Sequence, residues 1–445
     1  MTEAPTLHRI APDEVHETLA RHMLADGLDM VLDLERSHGV WLYDSLHGRE
    51  MLDLFGCFST VALGYNHPKL NNPDFHRDIL PAALNKPSNS DLYTREMTEF
   101  VAAFSRTVPE PLRHHMFFIE GGALAVENAL KAAFDWKVRK NLAAGRGERG
   151  HQVLHFRGAF HGRSGYTLSL TNTADPAKYE LFPKFDWPRI DVPRLCFPAT
   201  PEVLAEVEAQ EARALDQIHR ALAERPHDIA ALIVEPIQAE GGDNHLRPEF
   251  LRALRRIADE EELLLIFDEV QTGFGTTGRW WCFEHFDVLP DIFAFGKKTQ
   301  ICGICASRRL DEVDSVFAVS SRINSTWGGN LADMVRSRRI IEVVEEDRLL
   351  DNAARVGALL LEGAERLAET LPGTVTNARG RGMFVAFDLP DGATRDAALR
   401  AMVEQQVLAL PCGDRSVRFR PPLVLSADEA AEGLRRVEAA LRKLL

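Results

Sequence analysis

Six short apolar runs in the middle of the chain constrain its fold more than any other feature. They are MFFIE (116–120), QVLHF (152–156), IAALIVEP (229–236), LLLIFDEV (263–270), DIFAF (291–295) and ICGICAS (301–307). Each is apolar at successive rather than alternate positions, which predicts strands covered on both faces. Helical patterns lie between them at 122–142, 202–224 and 248–261. Strands alternating with helices imply an α/β domain on a mostly parallel sheet. The tail reads differently, with helices over 331–346, 350–370 and 394–408 and one strand at GMFVAFDL (382–389). Ser426 and Glu429 have capping-box spacing ahead of the stripe Leu434, Val437 and Leu441, so a helix should close the chain. The expected division is a large domain over 51–330 and a small α+β domain built from 331–445 together with residues 1–50. No internal repeat or low-complexity linker interrupts it.

Composition narrows the function. A chain of 445 residues, 45% hydrophobic and 27% charged, can bury a large core. Its formal charge of −14 argues against nucleic acid or an anionic membrane as partner and points to small-molecule substrates. The start, MTEAPTLHRIAPDEVHETLARHM, has no uninterrupted apolar core, so no signal peptide is expected, and no stretch is long enough to span a membrane. Six cysteines are too few for a disulfide scaffold, which points to a reduced, cytoplasmic protein. Cys302-Gly-Ile-Cys305 has redox spacing, but its setting reads as a buried strand and no second pair exists for zinc. Structural thiols and no metal are expected.

In LLLIFDEVQTGFGTTG a strand delivers Asp268 and Glu269 at its carboxyl end, where open parallel sheets bind ligands. Gly273, Gly275 and Gly278 match a dinucleotide fingerprint in spacing. They lie mid-chain, however, and RWWCFEHF after them does not read as a clean helix, so that match is weak. Asp268 makes more sense as the partner of an aromatic nitrogen. A carboxylate shielded from water keeps a pyridine nitrogen protonated, and the ring then draws electrons from a substrate carbanion. Beyond the next strand, FAFGKKTQICG supplies paired lysines, Lys297 and Lys298. An acid followed by a lysine is what pyridoxal 5'-phosphate needs, because the lysine bonds to the aldehyde while the acid grips the far side of the ring. A phosphate site is readable in FIEGGALAVENALK, where strand turns to helix through Gly121, Gly122 and Ala123 and exposes unpaired N–H groups. FRGAFHGRSGYT places Phe160 and His161 in a glycine-rich turn, where an aromatic ring can stack on the pyridine.

Taken with FGCFSTVALGYNHP, IVEPIQAEGG, NSTWGGN and VRFRPPL, these motifs resemble the class III pyridoxal-phosphate aminotransferases over nearly the whole chain. The resemblance implies the fold type I architecture and a homodimer with shared active sites. The resemblance implies a glycine four to five residues after the reactive lysine; Gly303 is five residues beyond Lys298 and six beyond Lys297, which favours Lys298. The matching further implies that Asp268 holds the ring nitrogen, Gln271 the ring hydroxyl, and Gly122 and Ala123 the phosphate. Phe160 would stack on the ring and Glu235 would support Asp268. Thr326 would reach the phosphate of the neighbouring subunit, and Asn324 in the same motif is a substrate-binding candidate. Two departures stand out: Ala123 replaces a frequent Ser or Thr, and Thr276 replaces the arginine of the family's FGRTG.

Such an enzyme takes an amine from a donor and passes it to 2-oxoglutarate, giving L-glutamate. One site must then accept two shapes of molecule, and two arginines are wanted because a guanidinium grips a carboxylate bidentately. Arg163 and Arg418 are the candidates, and Glu240 resembles the family's switching glutamate that covers the arginine. NKPSNSD (85–91), the paired lysines with TQICG, and NSTWGGN are most similar to family members acting on the ε-amine of L-lysine, whose product is 2-aminoadipate 6-semialdehyde, expected to cyclise. Ornithine, 4-aminobutyrate and a racemase or aminomutase of the same fold stay open as alternatives, since nothing counted in the residues measures the donor's length.

Overall fold

The computed structural model describes residues 10–444. Residues 1–9, where the stretch read as lacking a signal peptide begins, and residue 445 lie outside the described residues. All six apolar runs form strands of one seven-stranded sheet. Its order is His115–Ile119, Cys302–Ala306, Ile292–Phe295, Leu264–Asp268, Ile229–Val234, Gln152–Phe156 and Arg189–Ile190. The sheet is parallel except for Cys302–Ala306, which runs antiparallel to both neighbours. Cys302 and Cys305 therefore sit inside a strand rather than at a helix start, away from the setting of a redox pair. The seventh strand, of two residues, is too short to leave a periodic trace in the sequence.

Successive apolar residues are needed because the sheet carries a core on each face. Along Ile229–Val234 and Leu264–Asp268, Leu232, Val234, Leu265 and Phe267 join one cluster, while Ala231, Ile233, Leu264 and Ile266 join the other. Each buried Leu, Ile or Phe contributes ~1.5–3 kcal/mol, so polar alternation would forfeit one whole core. The helix Gly122–Ala143 is rich in strong helix formers, and its buried Ala125, Ala129, Ala132 and Ala133 let it lie close on the second core. Trp136 fills the space beyond them and donates from Nε1 to the Arg309 carbonyl at 3.1 Å.

Four tail strands escaped the sequence reading or were misread. Phe384–Asp388 pairs with Thr376–Arg381 and with Ser416–Phe419, which in turn pairs with Leu410–Cys412. The helix expected over 394–408 stops at Glu404. Gln406 turns left-handed at φ 57°, and Val407–Leu408 becomes a strand parallel to Arg49–Asp53. Burial of Val407 and Leu408 against that distant strand overrides their local helical spacing. The same sheet holds Leu32–His38 and Trp41–Asp44, so the front of the chain and its tail share hydrogen bonds. Trp41 Nε1 adds one to Glu429 Oε1 at 3.1 Å.

Gly303 marks the tightest approach in the large sheet. A Cβ there would stand 2.2 Å from the Phe117 carbonyl oxygen and 2.7 Å from Phe295 Cζ. Gly303→Ala is expected to destabilise the fold by ~1–3 kcal/mol, read as a lower thermal midpoint than that of the parent protein.

Candidate active site

The turns that follow Ile119, Phe156, Val234, Asp268 and Phe295 leave the carboxyl ends of strands that all point the same way, so they gather on one edge of the sheet. Between them lies a cavity of about 670 Å³. Gly122, Ala123, Phe160, Glu235, Asp268 and Gln271 all line it, and so do Arg163, Glu240 and Arg418. Asn324 and Thr326 do not; both are exposed, in the segment ahead of the helix Leu331–Glu346.

The structure places the lysine pair otherwise than the spacing from Gly303 favours. Lys297 lines the cavity, whereas Lys298 is turned away from it and buried, its Nζ donating to Ser59 Oγ at 2.8 Å. Counting back from Gly303 assumed an ordinary link between lysine and strand. Instead the chain makes one tight 3-10 turn over Lys297–Thr299, with Lys297 and Gln300 both left-handed at φ 56° and 62°. That turn absorbs the extra residue and sends neighbouring side chains to opposite sides. Two non-glycine residues in this region are strained, as is common where a side chain must be aimed. Burial, then the Arg418 charge, lowers Lys297 to about 8; burial, then Arg420, lowers Lys298 to about 7. Both amines are thus easily neutral, and position is what separates them.

Asp268 is held from two sides. Its Oδ2 is 2.8 Å from His161 Nδ1, and its Oδ1 accepts from Val270 N at 3.0 Å. Burial works to lower the pKa of His161, but the hydrogen bond and charge of Asp268 outweigh it, and the net shift is upward. Glu235 accepts from Phe160 N at 3.1 Å and Ala239 N at 3.0 Å, so it fixes the turn bearing Phe160. Burial pushes Glu235 up to about 7, against the pull of His161. Glu235 thus acts on the Asp268 region through His161 and the backbone rather than by touching Asp268. His161 was visible in FHGRSGYT without a role; its partner lies too far along the chain for spacing to show.

At the other end Arg418, only 1% exposed, donates from Nη2 to Glu240 Oε2 at 2.6 Å and from Nη1 to Gln271 Oε1 at 3.0 Å. Burial opposes ionisation of Glu240, yet Arg418 and Lys178 together hold its pKa below the usual carboxylate value. Gln271 Oε1 also accepts from Arg420 Nε at 3.2 Å, and two guanidinium donors fix which end of the amide is oxygen. Its NH2 is the group left for a ligand. Arg420 pairs with Asp243 and lies over the Phe384 ring, 3.2 Å from the centroid. Alternation in VRFR sets Arg418 and Arg420 on one face of the same run, a signal that was available. Arg163 is exposed and stands 5.9 Å from the Phe160 ring centroid.

The helix Gly122–Ala143 opens on the cavity with Gly121 at φ 101°, with no side-chain cap and no acid in its first turn. Its first N–H groups are therefore open to an anion. A Cβ on Gly162, itself at φ 132°, would fall 2.6 Å from both Ala123 Cβ and Thr167 Oγ1. Thr276, in place of the family's arginine, is fully buried and donates to the Gly273 carbonyl at 2.9 Å, so here it braces its own turn. An anion cradle, a buried amine, an aromatic face and an acid–histidine pair fit pyridoxal 5'-phosphate. The buried His161 Nε2, which has no partner, shows that Asp268 claims only one edge of the imidazole.

Comparison with known proteins agrees. The family profile described as aminotransferase class-III matches residues 23–441. The chain belongs to the class-III aminotransferases. It is 55% identical over 433 residues to the L-lysine-epsilon aminotransferase of Mycobacterium tuberculosis, covering 97% of this chain and 96% of that protein. With the L-lysine-epsilon aminotransferase of Amycolatopsis lactamdurans it shares 52% over 431 residues, covering 96% and 95%. Among solved structures, the M. tuberculosis lysine aminotransferase in its internal aldimine form superposes with TM-score 0.95 at 54% identity, covering 98% of this chain and all of that one. This class-III aminotransferase should lose affinity for pyridoxal phosphate by roughly tenfold or more in Gly162→Ala, because the added methyl fills the cradle between Ala123 and Thr167. Titration of the unloaded protein, followed by the cofactor's absorbance, checks it.

Proposed function

We propose that the chain is a pyridoxal-phosphate-dependent L-lysine 6-aminotransferase, moving the ε-amino group of L-lysine to 2-oxoglutarate. The products are 2-aminoadipate 6-semialdehyde, which cyclises, and L-glutamate. The observation that carries this reading is the cavity itself, where the half-buried amine of Lys297, free of any ion pair among the described residues, shares a wall with Asp268 and with the Glu240–Arg418 pair. Identity of 50–55% to curated L-lysine-epsilon aminotransferases supports lysine as donor over ornithine or 4-aminobutyrate.

When bound, the cofactor supplies an electron sink for the carbon from which a proton is taken. Lys297 would hold it covalently and, once freed, would move the proton at the reacting carbon; its pKa, lowered to about 8, makes the neutral amine far more available than in an ordinary lysine. Asp268, oriented by His161, would hold the ring nitrogen and keep it protonated. The N–H groups of Gly122 and Ala123 would take the phosphate, Phe160 would stack on the ring, and the NH2 of Gln271 would serve the ring hydroxyl. Glu235 sets the turn that bears Phe160. Arg163 grips the carboxylate far from the cofactor. Arg418 grips the near carboxylate of the keto acid, and Glu240 covers it while the donor, which has no carboxylate there, occupies the site. An uncovered guanidinium would otherwise be an unpaired buried charge.

Asn324 and Thr326 are assigned to the site of a second copy of the chain, since both stand exposed and outside their own cavity. A homodimer with shared sites follows from this assignment. A cytoplasmic location accords with six free cysteines and with the lack, among the described residues, of a helix long and apolar enough to cross a membrane.

Borohydride fixation of the loaded enzyme followed by peptide mapping should put the label on Lys297. Lys297→Ala should lower turnover by roughly 10²–10⁴-fold, and a label on Lys298 would sink this assignment. Glu240→Ala should slow the L-lysine half-reaction about tenfold more than the 2-oxoglutarate half, measured by bleaching and recovery of the cofactor absorbance in single turnovers. Equal loss in both halves removes the covering role.

A further inference from the structure

Glu240 does not rest on Arg418 alone. While Oε2 takes the guanidinium at 2.6 Å, Oε1 accepts from Lys178 Nζ at 2.8 Å. Lys178 ends the short turn Pro176–Lys178. Asp175 caps this turn by accepting from Ala177 N at 3.2 Å, and Tyr179 Oη ties the far side to the Thr173 carbonyl at 3.2 Å. The lysine is therefore presented on a braced loop. Its only other acidic neighbour, among the described residues, is Asp175 at 3.9 Å, at the limit of an ion pair.

Beyond this pair lies a second cavity, of about 450 Å³, lined by Asp175, Arg395 and Asp414 among others. Lys178, Glu240 and Pro411 line both cavities. Glu240 thus stands in the partition, with Arg418 before it and open volume behind.

We infer that Lys178 is the receiving partner of Glu240: when a keto acid's carboxylate takes Arg418, the displaced glutamate keeps its ion pair with Lys178 and withdraws toward the second cavity. This rests on the reading of Glu240 as the cover of Arg418. A glutamate driven off Arg418 with no other cation would be a half-buried, unpaired carboxylate, and that penalty would fall on keto-acid binding. With Lys178 in place the exchange swaps one carboxylate for another at Arg418 and leaves no charge alone. No covalent bond changes. Lys178 is a positioning residue, since it touches Glu240 and acts on the keto acid through it.

The test uses the loaded full-length enzyme with Lys178→Met, which keeps the stem and removes the charge. The 2-oxoglutarate half-reaction should lose roughly tenfold in kcat/KM, mostly through KM, with a clearly smaller change in the L-lysine half. Glutarate, a dicarboxylate with no keto group, should bind correspondingly more weakly by calorimetry, a readout that needs no turnover. Lys178→Arg should restore most of both. In a Glu240→Ala background, Lys178→Met should change neither keto-acid KM nor glutarate affinity, because there is no glutamate left to receive. A keto-acid loss that persists in that background, or a loss at least as large in the L-lysine half, would mean that Lys178 meets substrate directly and would overturn the inference. If Glu240→Ala alone slows both halves equally, the covering role fails and the inference falls with it. If Glu240→Ala splits the halves but Lys178→Met leaves both untouched, the inference alone fails.

Discussion

An amine that is to react as a free base must be stripped of water and kept near positive charge, and Lys297, the amine proposed to react, meets this constraint, around which the rest of the site is arranged. Water removal comes first, with Arg418 next, and together they bring the side chain to about 8. Neither is available on a surface loop. A two-faced sheet with a core on each side provides the dry edge, and the loops at its carboxyl ends bring Asp268, Glu240 and Arg418 to the same space. The same dryness makes a buried charge in this region costly, and three such charges are paired: Asp268 with His161, Arg418 with Glu240, Arg420 with Asp243.

The strands of the large sheet were legible because burial on both faces leaves a run with no polar interruption, and that pattern needs no knowledge of neighbours. Tail strands such as Ser416–Phe419 were not: the run is short, and its alternating Arg418 and Arg420 read as surface charges, whereas folding buries both. Val407–Leu408 was read as helix because its partner, Arg49–Asp53, stands near the other end of the chain. Local pattern carries no information about such a pairing.

The site was readable as a set of motifs, and nine of its expected residues do line one cavity: Gly122, Ala123, Phe160, Arg163, Glu235, Glu240, Asp268, Gln271 and Arg418. What spacing did not show is that Lys297 rather than Lys298 lines the cavity. Spacing measures chain length, but the direction of a side chain is set by φ, and the left-handed turn at Lys297 and Gln300 has no composition signature, since neither residue is Gly or Asn. Lys178 was invisible for a different reason. PAKYE is an ordinary polar turn, and its lysine gains meaning only from Glu240, which folding places beside it.

The lone antiparallel strand deserves a mechanical reading. The other cavity turns lead into helices or longer excursions. Phe295 pairs with Gly303 across a reversal, so the segment bearing Lys297 is pinned at both ends to adjoining strands of a single layer. The amine proposed to react thus sits on a short connection between paired neighbours, and Arg418 within the strand Ser416–Phe419, while Arg163, Glu240 and Gln271 sit on loops. An insertion or deletion of even one residue at that bend would rotate the amine out of the chamber, whereas the surrounding loops can drift in length and diversify what is accepted.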